Sequence, residues 1–446
     1  MAVSDTIVAI STPPGRGGLG IVRLSGPQAH AIVQARFAGA PREARRATWA
    51  RFRDDSGEPL DEVILTWYAA PHSATGEEVV EISAHGAPVL LEALLRAACE
   101  HGARLAEPGE FTRRAFLNGR LDLTQAEAVG DLIAAHTLFQ ARTAARQMGG
   151  SVARLLRPLH QQLTELIARL EAGIDFADND VSVLDDEHAA ADLASLGCAL
   201  EELLGGFQRG RTVREGLRLA LLGRPNVGKS SLFNRLLRRE RAIVTAQPGT
   251  TRDVVEEMLD WDGIPVQLVD TAGIRDPEGE AEQIGIQKSW EAAADADLVL
   301  AVFDTSRAPD GDDAALLVRL AEMPQAVRVR NKCDLPAARG WEQEGDTYAV
   351  SALSGAGIEE LRAGVRKRVL PAAGGEAGYI TVARHAQQVR LAGEWLGRAA
   401  AALGTVPHEV LLVDLYEALH ALDAITGQTT VEDILGVIFS TFCIGK

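Results

Sequence analysis

Cysteine is scarce and scattered. Cys99, Cys198, Cys333 and Cys443 are the only four in 446 residues, and no two form a CxxC pair. That argues against both a disulfide framework and a zinc site and fits a reducing cytoplasm. No apolar run reaches the roughly 18 residues that a membrane-spanning helix needs. The opening MAVSDTIVAISTPPGRGG also lacks a basic region followed by an apolar stretch, so neither export nor membrane insertion is expected. No repeat of fixed period is visible. Positive charge is in deficit too. The net charge is −17, which argues against a protein that coats nucleic acid by charge alone. The deficit is uneven, because residues 1–120 hold 13 Arg and no Lys against 14 Asp and Glu. A local basic patch stays compatible with the total.

What is present is a multi-domain chain. At about 100 to 200 residues per domain the length allows about three, and 46% hydrophobic with 24% charged residues suits globular cores. Residues Asp5 to Leu24 place two short apolar runs around Pro13-Pro14-Gly15-Arg16-Gly17-Gly18, which suits strand, tight turn, strand. Strand-like runs at Val63–Tyr68 and Glu78–Ser83 and helical spacing from Pro88 to Glu100 extend this into an α/β domain over residues 1–119. Residues 120–210 turn to Ala, Leu, Glu, Gln and Arg at helical period. A second helical stretch over residues 376–446 includes Ala383–Leu403, Val410–Leu422 and Val431–Phe439. An α/β unit at 216–371 lies between the two, so the expected fold class is α/β plus all-α, with a discontinuous helical domain interrupted by an inserted domain of mostly parallel sheet.

The inserted unit carries the chemistry. The apolar run Leu217–Leu222 leads directly into Gly223-Arg224-Pro225-Asn226-Val227-Gly228-Lys229-Ser230 and a helical SLFNRLLRR. This is GxxxxGKS in its strand-loop-helix setting. Its glycines let backbone N–H groups wrap phosphates, Lys229 supplies a point charge, and the Ser230 hydroxyl is placed to ligate Mg²⁺. A strand at Val266–Val269 ends in Asp270-Thr271-Ala272-Gly273, where Asp270 suits the Mg²⁺ water shell and the Gly273 N–H suits the terminal phosphate. A strand at Ala326–Arg330 ends in Asn331-Lys332-Cys333-Asp334. An Asp there accepts from N1–H and the exocyclic amine of guanine, and an unpaired buried acceptor costs about 1–3 kcal/mol, so the expected nucleotide is GTP. Ser351-Ala352-Leu353 resembles the loop that packs on guanine in the GTPase superfamily. Gly249-Thr250-Thr251-Arg252-Asp253 stands where such proteins place the first switch, with Thr251 as the second Mg²⁺ ligand.

Two further absences matter. Ile274 stands where Ras-like proteins carry the water-positioning Gln, and neither Arg252 nor Arg275 can be assigned as an arginine finger. Asn226 offers a side-chain carbonyl to a monovalent cation beside the phosphates, and that charge would serve instead. Cys443 has no His or Asp assignable as a partner, and His85 and His385 read as structural.

Taken together, these residues resemble the bacterial and organellar MnmE (TrmE) family of tRNA modification GTPases. DTIVAISTPPGRGGLGIVRLSG at the start, FTRRAFLNGRLDLTQAEAVGDLI at 111–133, the GTPase core and the terminal FCIGK all carry the likeness. The resemblance implies K⁺-activated GTP hydrolysis, with K⁺ held by Asn226, Thr245, Gln247 and Thr250. Nucleotide contacts would run through Asn226 to Ser231, including Ser231 itself, and through Thr245-Ala246-Gln247-Pro248-Gly249-Thr250-Thr251. Glu282 matches the acid that orients the attacking water. The N-terminal domain resembles a folate-binding fold that dimerises, and 5-formyl- or methylene-tetrahydrofolate would meet Arg23, Glu81, Arg120 and Lys446. Arg120 replaces the more usual Lys and brings a planar fork in place of a point charge.

The implied activity adds a carboxymethylaminomethyl or aminomethyl group at C5 of the wobble uridine of certain tRNAs. It would use a folate one-carbon unit, a cycling G-domain homodimer and a flavin-dependent partner, MnmG. A cytoplasmic location follows. Two other readings are a GTPase switch in ribosome or RNA assembly and a one-carbon transferase with a regulatory G domain. The switch would usually bring an RNA-binding module such as a KH-like domain, with GXXG and basic neighbours, and no such module is seen after Leu370, where the Gly375–Gly378 spacing has no basic neighbour.

Overall fold

The computed structural model describes residues 5–37, 39–175, 186–239, 257–261, 263–269, 290–291, 293–341, 347–369, 380–429 and 432–445. In chain order the first elements are β1 (Thr6–Ile10), β2 (Gly17–Ser25), α1 (Ala29–Arg36), β3 (Thr48–Arg53), β4 (Pro59–Tyr68) and β5 (Val79–Gly86). Then come α2 (Pro88–Glu100), β6 (Ala103–Leu105), α3 (Glu110–Leu117), α4 (Leu123–Ala134), α5 (Leu138–Met148), α6 (Ser151–Asp175) and α7 (Asp186–Glu215). The nucleotide-type region follows as β7 (Leu217–Leu222), α8 (Lys229–Arg239), β8 (Glu257–Trp261), β9 (Ile264–Val269) and β10 (Leu298–Asp304). It continues as α9 (Gly311–Leu320), β11 (Ala326–Asn331), β12 (Thr347–Ala349) and α10 (Ile358–Val369). The chain closes on α11 (Ala383–Ala402), α12 (His408–Thr426) and α13 (Glu432–Ser440).

These elements form two compact units, each discontinuous in sequence. One comprises Met1–Gly130, Ala145–Leu196 and Glu394–Lys446, and the other Asp131–Ala144 and Gly197–Gly393. In the first, a six-stranded sheet runs β3-β4-β5-β2-β1-β6. β1 and β2 pair antiparallel across the Pro-Gly turn, whereas β6 joins β1 in parallel. Helix α2 starts with Pro88 in its first turn, where the missing N–H costs nothing. Its Leu91, Leu94, Ala97 and Ala98 are buried at helical spacing, and they join Val8, Val22, Leu24 and Ile82 in one core. Burying a Leu side chain contributes about 1.5–3 kcal/mol, so this one face fixes the helix.

The helical part of the same unit rests on two long helices. Leu156, Leu159, Leu163, Leu166 and Leu170 of α6 and Leu411, Leu415, Ala418 and Leu422 of α12 are buried at three- and four-residue spacings. Polar pairs fix the register: His160 Nε2 lies 2.9 Å from Asp423 Oδ1, and Tyr416 donates to Glu171 at 2.7 Å.

The second unit holds a sheet ordered β12-β11-β10-β7-β9-β8. Its ladders are parallel except for the β8–β9 pair. β10 is buried at all seven positions, as expected of a parallel strand covered on both faces. β7 lies between β10 and β9, where strand order reverses, and ligands of such sheets bind outside the carboxyl ends at that point.

Candidate functional site

The loop between β7 and α8 cannot be built from other residues. Gly223 has φ +151°, and a Cβ there would stand 2.4 Å from the Val302 carbonyl of β10. Gly228 has φ +97°, and a Cβ would lie 2.2 Å from Asn331 Nδ2. Asn226 takes φ 63°, a left-handed conformation that Asn tolerates better than most residues.

Four carbonyls of this loop are occupied by side-chain donors. Lys229 Nζ donates to Gly223 O and Arg224 O, both at 2.7 Å, Lys332 Nζ donates to Asn226 O at 3.2 Å, and Asn331 Nδ2 donates to Val227 O at 2.9 Å. Carbonyl and following N–H point to opposite sides of a planar peptide, so the Val227 and Gly228 amides are turned away from these donors. That is the backbone arrangement that receives an anion. Burial depresses the Lys229 ammonium to about 8. Among the described residues its hydrogen bonds go to carbonyls and to no carboxylate. A half-buried cation with no counter-charge, at a helix N-terminus, fits a phosphate group. Ser230 is half-buried and Ser231 exposed in the first turn of α8.

The loops after β11 and β12 converge on the same point. Asn331 is 1% exposed. Its amide nitrogen holds Val227, while its Oδ1 accepts the Ala352 N–H at 3.0 Å. One buried side chain therefore joins the phosphate-type loop to Ser351-Ala352-Leu353. Lys332, at φ 65°, spans from Asn226 O to Asp304 Oδ2, 2.6 Å away. Burial pushes the Asp304 carboxyl up, but Lys332 and Ser306 more than offset it and hold it below the usual range. The Cys333 N–H donates to Val350 O at 3.1 Å. Asp334 is exposed, with no hydrogen bond or ion pair among the described residues. Ser351 is buried, and Leu353 is 80% exposed.

Sequence reasoning missed two residues here. Arg224 pairs with Asp310, the N-cap of α9, and with Asp312 and Asp313. Arg235 of α8 donates to the carbonyls of Ala352 and Leu353. Neither position carries a spacing signal, because each partner is distant in sequence. Thr245, Ala246, Gln247, Pro248, Gly249, Thr250 and Thr251 lie outside the described residues, as do Arg252, Asp270, Thr271, Ala272, Gly273, Ile274, Arg275, Glu282 and Lys446.

A second polar cluster sits on the N-terminal sheet. Arg23 of β2 and Glu81 of β5 are register partners, and Arg23 Nε donates to Glu81 Oε1 at 3.0 Å. The guanidinium stands 5.7 Å from the Phe111 ring centre. Burial and the negative charge of nearby Glu81 raise the Tyr68 hydroxyl above its ordinary value. Arg120 is exposed, its aliphatic stem against Gly76. The chain end reaches this sheet as well. Ser11 Oγ donates to Gly445 O at 3.0 Å, and Ile444 bridges to Pro108. Cys443 is exposed. His85 Nδ1 lies 2.6 Å from Asp61 Oδ1, and His385 is buried.

Comparison with known proteins matches two family descriptions in tandem. "GTP-binding protein TrmE N-terminus" covers residues 6–120, and "MnmE helical domain" covers residues 123–443. The chain is 55% identical over 456 residues to the "tRNA modification GTPase MnmE" of Koribacter versatilis (strain Ellin345), covering 100% of both chains. It is 44% identical over 448 residues to the protein of the same name from Aquifex aeolicus (strain VF5), covering 99% of this chain and 100% of that one. Among solved structures, the G domain of the T. maritima FeoB iron transporter aligns at 24% identity over 34% of this chain and 97% of that one, with a TM-score of 0.24.

Proposed function

The chain belongs to the MnmE family of tRNA modification GTPases, and from that membership we propose that it hydrolyses GTP with Mg²⁺ and K⁺ while helping to modify the wobble uridine of certain tRNAs. The observation that carries the reading is Asn331, whose one side chain holds the phosphate-type loop and the base-type loop together. A guanine nucleotide spans that pair of loops. Lys229 would meet the outer phosphates, Ser230 and Thr251 the Mg²⁺, and Asp334 the guanine edge. K⁺ would take Asn226 with Thr245, Gln247 and Thr250. Its charge would stand in for an arginine finger, and Glu282 would orient the attacking water. Support for the Asn226 role is its left-handed backbone, anchored through its carbonyl by Lys332.

The Arg23–Glu81 pair is the proposed pocket for a tetrahydrofolate, with Arg120 and Lys446. A carboxylate suits pterin donors and the cations suit the folate's own carboxylates. Phe111 beside Arg23 and the docking of Ile444 and Gly445 at the end of β1 support that choice. A bound folate would supply the one-carbon unit. The redox step would belong to a flavin-dependent partner, MnmG, since the GxGxxG spacing at Gly15–Gly20 lies in the β1–β2 hairpin and opens no helix of a dinucleotide fold, and the active species would be a homodimer. Two measurements test the reading. Replacing K⁺ by Na⁺ slows GTP hydrolysis by the purified full chain at least tenfold, and equal rates overturn the cation role. Cells lacking the chain lose the wobble modification and recover it with the wild-type gene; unchanged modification removes the proposal.

A further inference from the structure

The turn after β12 satisfies most of its own backbone. Gly355 N–H donates to Ser351 O at 2.8 Å, Ser351 N–H to Ala356 O at 2.9 Å, and Ser354 N–H to Ser351 Oγ at 3.0 Å. The Ala352 N–H is already committed to Asn331. Two successive carbonyls are left over, and one guanidinium takes both. Arg235 Nε donates to Ala352 O at 2.9 Å, and its Nη2 donates to Leu353 O. The guanidinium rests against Gly355, which has φ +89°, and a Cβ there would lie 3.6 Å from Arg235 Cζ. Arg235 and Lys229 share α8, so the helix that opens at the phosphate-type loop also clamps the base-type loop.

The direction of that clamp has a chemical result. Because a trans peptide is planar, fixing the Ala352 carbonyl toward α8 turns the Leu353 N–H away from it. That N–H has no acceptor among the described residues. We propose that Arg235 is a positioning residue for base selection, holding the Ala352–Leu353 peptide so that the Leu353 N–H donates to the 6-oxo group of a purine. The inference rests on the guanine reading above and deepens it. Asp334 would select the donor edge of the base, and the Leu353 amide its acceptor oxygen. A 6-amino purine would set donor against donor there and leave the amide unpaired, the kind of mismatch that discriminates strongly.

The test measures binding of four diphosphates to the full chain. GDP and IDP carry the 6-oxo group, whereas ADP and 2,6-diaminopurine riboside diphosphate carry a 6-amino group. Arg235→Ala is expected to raise the Kd of GDP and IDP alike, about tenfold for one lost, well-oriented hydrogen bond, and to leave the two 6-amino nucleotides within twofold. Arg235→Lys, with a single nitrogen for two carbonyls, recovers only part of the loss. Parallel weakening of all four nucleotides would reduce Arg235 to general packing and overturn the proposal, as would unchanged GDP binding. Thermal melting of the nucleotide-free variants separates loss of fold from loss of selection. A wild-type chain that bound ADP as tightly as GDP would fail the guanine reading itself, and the proposal with it.

Discussion

At the scale of single residues, the candidate site is defined by groups whose partners are missing or fixed from one side. Asp334 is exposed and unpartnered among the described residues, so its substitution disturbs little besides the ligand. Asp334→Asn is expected to weaken GTP by roughly tenfold or more and to shift preference toward xanthosine triphosphate, whose 2-oxo group accepts what the new amide donates. Competition binding of the two nucleotides checks it, and intact guanine selectivity would contradict the assignment. The backbone settings of Gly223–Ser230 and Asn331–Asp334 were legible in the sequence because GxxxxGKS and NKxD encode local backbone geometry. Arg224, Arg235 and Tyr68 were not. Their roles arise from partners 86, 117 or 118, and 13 positions away, and nothing in an isolated Arg or Tyr announces such a partner.

At the scale of elements, helices and apolar strands were read closely and the edges of the N-terminal sheet were not. Helix α2 and strand β7 fall on the expected residues because their buried positions recur at clear helical or continuous spacing. β3 escaped because only Ala50 and Phe52 point inward, within an Ala- and Arg-rich stretch whose composition favours helix. β6 has three residues and exists through its parallel pairing with β1, a cause invisible to local propensity.

Helix α3 raises an electrostatic expectation. Glu110 bonds Arg104 and the 1%-exposed Arg114, which also meets Asp5 and Glu77. Burial raises the Glu110 carboxyl, but Arg104, the Glu107 N–H and Arg114 outweigh it, so the net shift is downward. Asp5 shows the same balance. A carboxylate depressed in the fold contributes stability that is complete above its unfolded value of about 4 and is lost as pH falls through the lower folded value. Glu110→Gln leaves Arg114 short of a partner and is expected to cost about 3 kcal/mol. It also flattens the loss of stability between pH 5 and pH 3, which urea unfolding across that range measures. An unchanged acid slope would remove Glu110 as its source.

At the scale of the whole molecule, the −17 charge and the acidic region beyond Leu121 did not prevent recognition, because function resides in sites rather than in net charge. Among the described residues no helix is long and apolar enough to cross a membrane. Among the described residues, the hydrogen bond from Ser11 to Gly445 joins positions 434 apart in sequence. Gly445 has φ +94°, and a Cβ would stand 2.4 Å from the Ile10 carbonyl. Gly445→Ala is therefore expected to release this segment from β1, increasing amide exchange around Ser11 and cleavage near residues 443–445 by added protease. Unaltered protection in both assays would show that the dock tolerates a side chain.

That contact also gives the protein a history during its own synthesis. Strand β1 leaves the ribosome well before the residues that finish its border, which are translated 434 positions after Ser11. At about 5–20 residues per second, the 434 positions between Ser11 and Gly445 keep β1 waiting for roughly twenty seconds to a minute and a half. A nascent chain halted short of Ile444 and Gly445 would hold the rest of that neighbourhood and still lack these two residues beside Ser11 and Pro108, so the border of β1 closes only once they have been made.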